Sequence, residues 1–387
     1  GTSGNDVFVV DDPGDTITEG ASQGTDTVQS SIDYGLGANL ENLTLTGYLN
    51  VSGNGNSLNN VIAGNAGSNV LNRFGNGGSD TLMGGAGDDV YYVDGATHAF
   101  SGDLNSDDTV TEGVDQGIDT IVTSTLAYTL PVNVENLKST FASNSVSLRG
   151  NALDNVLEAS QYNSEGAVLD GGLGADTMKG TSGDDTYFVD NAGDVVEERG
   201  FLSSGQDVSH DTVVSSVSHV LGTGLEDLQL IGSSAVTGTG NGRDNRLDGS
   251  GNSAANAFSG GLGNDTYRLG VGDSVVENSG EGVDTVVLAQ GAAGTYSISS
   301  YANVENMQLE DALGLSDLLG DPGNNKLAGN RQNNTLSGDA GDDEILDGAT
   351  AQLDADRLHG GAGNDRLISS SGADLLDGGT GDDTLIG

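Results

Sequence analysis

Aspartate recurs in this chain behind a fixed run of glycines. GGAGDDVYY (84–92), GGLGADTMK (171–179), GTSGDDTYF (180–188), GGLGNDTYR (260–268), GDAGDDEIL (338–346), GGAGNDRLI (360–368) and GGTGDDTLI (378–386) share one nine-residue frame, which GTSGNDVFV (1–9) and GNGGSDTLM (75–83) also follow. Position six holds Asp6, Asp80, Asp89, Asp176, Asp185, Asp265, Asp343, Asp365 and Asp383. Glycines at positions one, two and four let the backbone take positive φ and turn its carbonyls inward with no Cβ in the way. The carbonyls of such a loop, at Gly84, Gly360 and Gly378 among others, face the same space as the carboxylate. Charged and carbonyl oxygens in a flexible loop suit Ca²⁺, which takes six to eight of them. The chemistry implied is cation binding by hard oxygen ligands.

A strand must follow each loop to hold it. Position eight is Leu82, Tyr91, Met178, Tyr187, Tyr267, Ile345, Leu367 and Leu385, a consistently bulky set that is predicted to point into a core. Two consecutive units return the chain to its starting side after 18 residues, and stacked turns then lie about 4.8 Å apart. Asp365 with Asp383, and Asp356 with Asp374, keep that spacing and are the best-supported bridging pairs, on opposite edges. Asn60, Asn69, Asn155, Asn245, Asn325 and Asn334 take the Asp position in degenerate copies. An amide lacks the charge that drives tight Ca²⁺ binding, so these turns are predicted to stack through side-chain hydrogen bonds. Insertions at Arg73-Phe74, 159–170 and 347–350 break the phase and predict separate calcium clusters.

A longer period surrounds the short one. GTSGNDVFVVDDPGDTITEG returns in altered form from 84, 180 and 260, followed each time by a DT(V/I) strand (Asp26, Asp119, Asp211, Asp284) and an E(N/D)(L/M) strand (Glu41, Glu135, Glu226, Glu305). This divides the chain into modules 1–83, 84–179 and 180–259, a strand region 260–319 and a C-terminal nonapeptide stretch 320–387. Apolar residues come in short alternating bursts bounded by Gly, Asn, Asp or Ser, which predicts short strands and almost no helix.

Composition agrees. Among 387 residues, 64 are Gly, 58 are Asp or Glu and only 12 are Lys or Arg, for a formal charge of −46. Such a charge repels nucleic acid and anionic membrane surfaces and favours cations as partners. With no Cys there are no disulfides and no thiolate metal sites. Hydrophobic content of 34% with no Trp predicts a thin, long core rather than a thick one. No apolar run approaches the length of a membrane span, so no membrane insertion is expected. Gly1 already lies within a repeat, and the chain reads as a segment of a longer protein.

The repeated unit resembles the nonapeptide of the RTX (repeats-in-toxin, hemolysin-type) calcium-binding family, over roughly a third of the chain. The resemblance implies a right-handed parallel β-roll or β-solenoid, Ca²⁺ held between turns, and type I secretion with folding outside the bacterial cell. The expected fold class is therefore all-β.

Other motifs carry less. DLNSDD (103–108) starts like an EF-hand loop but lacks its Gly and its closing Glu, and reads as a solvated acidic insertion. GASQG (20–24) matches a hydrolase nucleophile motif without the strand and helix that motif needs. His98, His210, His219 and His359 are scattered, with no zinc motif. Tyr91, Tyr187 and Tyr267 occupy the inward position and read as core; Tyr92 is expected to face outward.

The expected function is binding of several Ca²⁺ ions that drives folding, because loop carboxylates repel without metal and a thin core cannot offset chain entropy. The expected role is a stalk, spacer or secretion-assisting region of an extracellular or cell-surface adhesin or exoprotein, with no catalysis. Two readings from other classes stand beside it: a self-assembling filament or surface-layer subunit, and an accessory part of a secreted carbohydrate-active or other enzyme. Calcium is the expected partner, with copies of the chain and cell-surface glycans as further partner readings.

Overall fold

Bursts of three to five apolar residues between turn formers leave room for short strands and nothing longer. The computed structural model describes residues 1–72, 78–93, 108–199, 209–348, 354–370 and 372–387. Arg73-Phe74, His98, most of DLNSDD and the end of the 347–350 insertion lie outside the described residues. The described strands run from two residues to the seven of Arg246–Asn252. Apart from single 3-10 turns at Ile298–Ser300 and Asp311–Leu313, no helix occurs among the described residues.

The chain divides into two units, Gly1–Ser209 and His210–Gly387. In the first, one sheet takes Asn42–Leu45, Val61–Ala63 and Thr81–Met83 as neighbours, while Ser52–Asn54, Val70–Leu71 and Val90–Val93 neighbour one another in a second. These consecutive strands thus alternate between sheets, and each pairs with the strand one coil away. All these pairings are parallel, as in a β-solenoid. The second unit repeats the plan: Lys326–Ala328, Glu344–Leu346, Arg366–Ile368 and Thr384–Ile386 form one parallel run, and Thr335–Ala340, Arg357–Ala362 and Leu375–Thr380 another.

Register places like on like. Tyr91, Ile121, Leu137, Leu157 and Met178 stack in adjacent coils of the first unit, none more than 1% exposed. Tyr267, Val286, Met307, Leu327, Ile345 and Leu367 do the same in the second. The position-eight residues therefore form the core as expected, except Leu385 on the last strand, which is 46% exposed. Tyr92, beside Tyr91, is only partly covered.

Coil length varies more than the nonapeptide arithmetic predicts. Eighteen residues separate partners at Asp356 and Asp374, but 15 do so at Asp26 and Glu41, 22 at Asp343 and Asp365, and 30 at Asp89 and Asp119. Connectors absorb the difference, because the buried residues of each strand pin the register and a one-residue slip would turn the apolar set outward.

Candidate metal centre

The position-six aspartates sit where a loop enters a strand, and all but Asp6, in the first coil, accept an N–H from the coil before. The N–H of Asp343 donates to Asp365 Oδ1 at 2.9 Å, and that of Asp365 to Asp383 Oδ1 at 3.0 Å. The other C-terminal column runs Asn334, Asp356, Asp374 through bonds of 2.6 and 2.9 Å. Both expected pairs are thus adjacent in the stack, on different sheets. Earlier in the chain, Asp89 accepts from the N–H of Asn69, Asp176 from Asn155 and Asp265 from Asn245, at 2.7 to 2.8 Å.

One carboxylate oxygen is used in this way, and the second is left over. Oδ2 of Asp89, Asp176, Asp265, Asp343, Asp356 and Asp365 is buried and has no hydrogen-bond partner. Burial pushes the Asp89 carboxyl up to about 7, with the charges of Asp119, Glu112 and Asp88 adding to it and the Asn69 N–H opposing. Asp176 is pushed up to about 7, and Asp265, Asp343 and Asp356 to about 6, again mainly by burial.

The first glycine of each loop lines the space these oxygens face. A methyl group on Gly360 would lie 2.3 Å from Asp365 Oδ2 and 2.5 Å from the Gly378 carbonyl oxygen. On Gly84 it would lie 2.0 Å from Asp89 Oδ2, and on Gly378 2.3 Å from Asp383 Oδ2. Here the structure amends the expected role of glycine. Positive φ is confined to positions two and four, as at Gly361 (116°) and Gly363 (152°); Gly84, Gly360 and Gly378 are not among the positive-φ residues. The first glycine is required for room, which carboxylate and carbonyl oxygens share. Two acceptors facing one small space repel unless a cation lies between them, and Ca²⁺ with its oxygen preference fits this donor set.

The remaining candidates are arranged differently. Asp6 and Asp185 follow G-T-S-G loops, where Thr2 and Thr181 donate to them from both N–H and hydroxyl. The Thr2 N–H holds the Asp6 carboxyl below its usual range. Asp80 accepts from the Asn60 N–H at 2.8 Å and the Asn72 amide at 3.0 Å. Asp374 Oδ2 accepts from the Ser369 hydroxyl.

The asparagine turns close themselves. Asn60 Nδ2 donates to the carbonyls of Leu40 and Glu41, Asn155 to Val134 and Glu135, and Asn245 to Leu225 and Glu226, at 3.0 to 3.2 Å. Asn69, Asn325 and Asn334 each make one such bond, to Val51, Glu305 and Ser316. An amide supplies the donor that carboxylate turns lack.

Residues that the nonapeptide frame does not contain also join these columns. Asp354 has both carboxylate oxygens buried without partners, and ligand atoms of Asp354, Asp356 and Asp374 lie within 4.8 Å of one another. Asp26, Asp119 and Asp284 donate their N–H groups to Glu41, Glu135 and Glu305, each at 2.8 Å. Their sequence signal is the half-repeat G-x-D-T-(V/I) at 24–28, 117–121 and 282–286.

Residues 54–91, 149–187, 162–196, 319–346 and 351–385 match the family model described as RTX calcium-binding nonapeptide repeat (4 copies). No curated protein matches the chain. The matched segments contain Asp80, Asp89, Asp176, Asp185, Asp343, Asp356, Asp365, Asp374 and Asp383. No helix among the described residues is long and apolar enough to cross a membrane. The chain carries RTX calcium-binding nonapeptide repeats, and these repeats imply calcium binding.

Proposed function

We propose that calcium binding drives folding of this β-solenoid outside the bacterial cell, and that the folded chain serves as a stalk, spacer or secretion-assisting region of a type I secreted adhesin or exoprotein. The observation that carries the calcium step is the set of buried, partnerless Oδ2 atoms beside position-one glycines. In the metal-free fold each is a buried acceptor without a donor, and at Gly338 and Gly360 a backbone carbonyl shares its space, which opposes folding. Ca²⁺ between them reverses the sign of that term and couples ligation to folding. Low cytosolic and millimolar external calcium then make the chain a compartment-sensitive switch. In this reading the chain binds and folds but does not catalyse; calcium-dependent turnover of alginate or a related polysaccharide would count against it.

The test is far-ultraviolet circular dichroism during a calcium titration that begins in chelator, with Mg²⁺ as control. A cooperative coil-to-strand transition with Ca²⁺ alone is expected. A full strand spectrum in chelator would overturn coupled folding and assign the fold to the asparagine turns and apolar columns.

A further inference from the structure

Glu19, Glu112 and Glu277 occupy equivalent places in three long modules, within TEG (18–20), TEG (111–113) and VEN (276–278). All three are buried, at 8, 7 and 6% exposure, although each lies on a connector outside the nonapeptide frame. The next coil holds them there. Asn39, Asn133 and Asn303 donate their amides to the backbone carbonyls of Glu19, Glu112 and Glu277 at 3.0, 3.0 and 2.9 Å. Each of these asparagines takes a left-handed φ, at 65, 65 and 62°, a conformation Asn tolerates.

The pinned glutamates reach over the position-six aspartates. Ligand oxygens of Asp89, Glu112 and Asp119 all lie within 4.8 Å of one another, and those of Asp6, Glu19 and Asp26 do likewise. Two oxygens that share a calcium ion at about 2.3–2.6 Å are at most about 5 Å apart, so this spacing admits one ion. In the third copy Gly260 N–H donates to Glu277 Oε1 at 3.2 Å, and Asp265 Oδ2 lies against the same glycine.

A second observation points to a ligand. Asp89 and Asp119 are 0 and 1% exposed, and each leaves Oδ2 without a partner. Glu112 is oriented beside them by the Tyr91 hydroxyl and the Gly113 N–H. Three carboxylates in one buried place, two of them with orphaned oxygens, are mutually repulsive until a cation joins them.

We propose that Asp89, Glu112 and Asp119 form a three-carboxylate calcium site distinct from the single-aspartate turns, repeated at Asp6, Glu19 and Asp26 and at Asp265, Glu277 and Asp284. The proposal rests on the calcium reading above and deepens it. Affinity for Ca²⁺ rises with the charge count of its ligands, so these sites fill before the turns do. Because Glu112 belongs to the connector and Asp89 and Asp119 to the stack, one ion locks the long 30-residue coil onto its neighbours.

The test counts calcium ions on the full chain by equilibrium dialysis with Ca²⁺ alone, for the unaltered protein, Glu112→Gln, Glu277→Gln and the exposed control Glu165→Gln. Expected is a loss of one ion from the tight class, or an affinity fall of about tenfold, in each of the first two variants and none in the control. The circular dichroism of both at saturating calcium should remain that of the folded chain. Terbium gives a second readout, since the chain has no Trp and Tyr91 touches Glu112: tyrosine-sensitised emission should fall in Glu112→Gln. Unchanged ion counts and affinities in both variants, with the unaltered protein binding calcium, overturn this proposal alone. An unaltered protein that binds no calcium overturns the calcium reading as well. Should Glu112→Gln not fold in calcium, the Glu277→Gln count decides.

Discussion

Asn325 and Asp343 occupy the same place in consecutive coils and differ by one atom group. The Asn325 amide donates to the Glu305 carbonyl at 3.2 Å, whereas Asp343 presents an oxygen with no donor in reach. Replacing Asp343 by Asn should supply that donor, keep the bond from the Asn325 N–H, and relieve roughly 1–3 kcal/mol of unsatisfied-acceptor cost in the metal-free fold. The same change removes a calcium ligand. Asp343→Asn is therefore expected to bind one ion fewer and to fold with a less steep calcium dependence, as dialysis and circular dichroism would read. An unchanged ion count would show that Asp343 ligates nothing.

At the scale of elements, short strands are held by what stacks above and below them. Leu367 is fully buried between Ile345 and Leu385, while Leu385 has a partner on one side only and is 46% exposed. Leu367→Ala should cost roughly 2–5 kcal/mol in the calcium-loaded protein. Leu385→Ala should cost about 1 kcal/mol or less, in proportion to its smaller burial. Urea unfolding in saturating calcium separates the two, and equal losses would contradict a core built from stacked columns. These columns were legible in the sequence, because position eight repeats with its loop and any nine-residue frame exposes it. Variable coil length was less so: Thr27 pairs with Asn42 and Val90 with Thr120, and nothing local in the sequence reports which distant strand a connector will meet. Glu112 and Asp354 escaped the sequence reading for the same reason, since each joins its site through a neighbouring coil rather than through its own repeat. Thr2 and Thr181 show the converse, a local motif whose meaning appears only when their hydroxyls are seen to occupy the aspartate.

Over the whole molecule, charge and burial act in the same direction. The chain carries −46, and several of its buried carboxyls are shifted upward: Asp89, Asp119, Asp176 and Glu277 to about 7, Asp265, Asp343 and Asp356 to about 6. Unfolded, the same groups titrate near 4. Between about pH 4 and 7 the metal-free fold thus binds more protons than the unfolded chain, and its stability falls as pH rises. This contribution is fully present below about pH 4 and is lost as pH climbs through 6 to 7. Protons and calcium consequently compete for the same buried oxygens. In chelator, the strand signal should be larger at pH 4.5 than at pH 8; in limiting calcium, the midpoint of the calcium titration should shift to higher calcium as pH falls from 8 to 5.5. Circular dichroism across a pH series, with and without chelator, checks both arms. A metal-free strand signal that grows with rising pH would show that these carboxylates are stabilised in the fold by something other than a cation, and the calcium-coupled reading of the buried columns would fail with it.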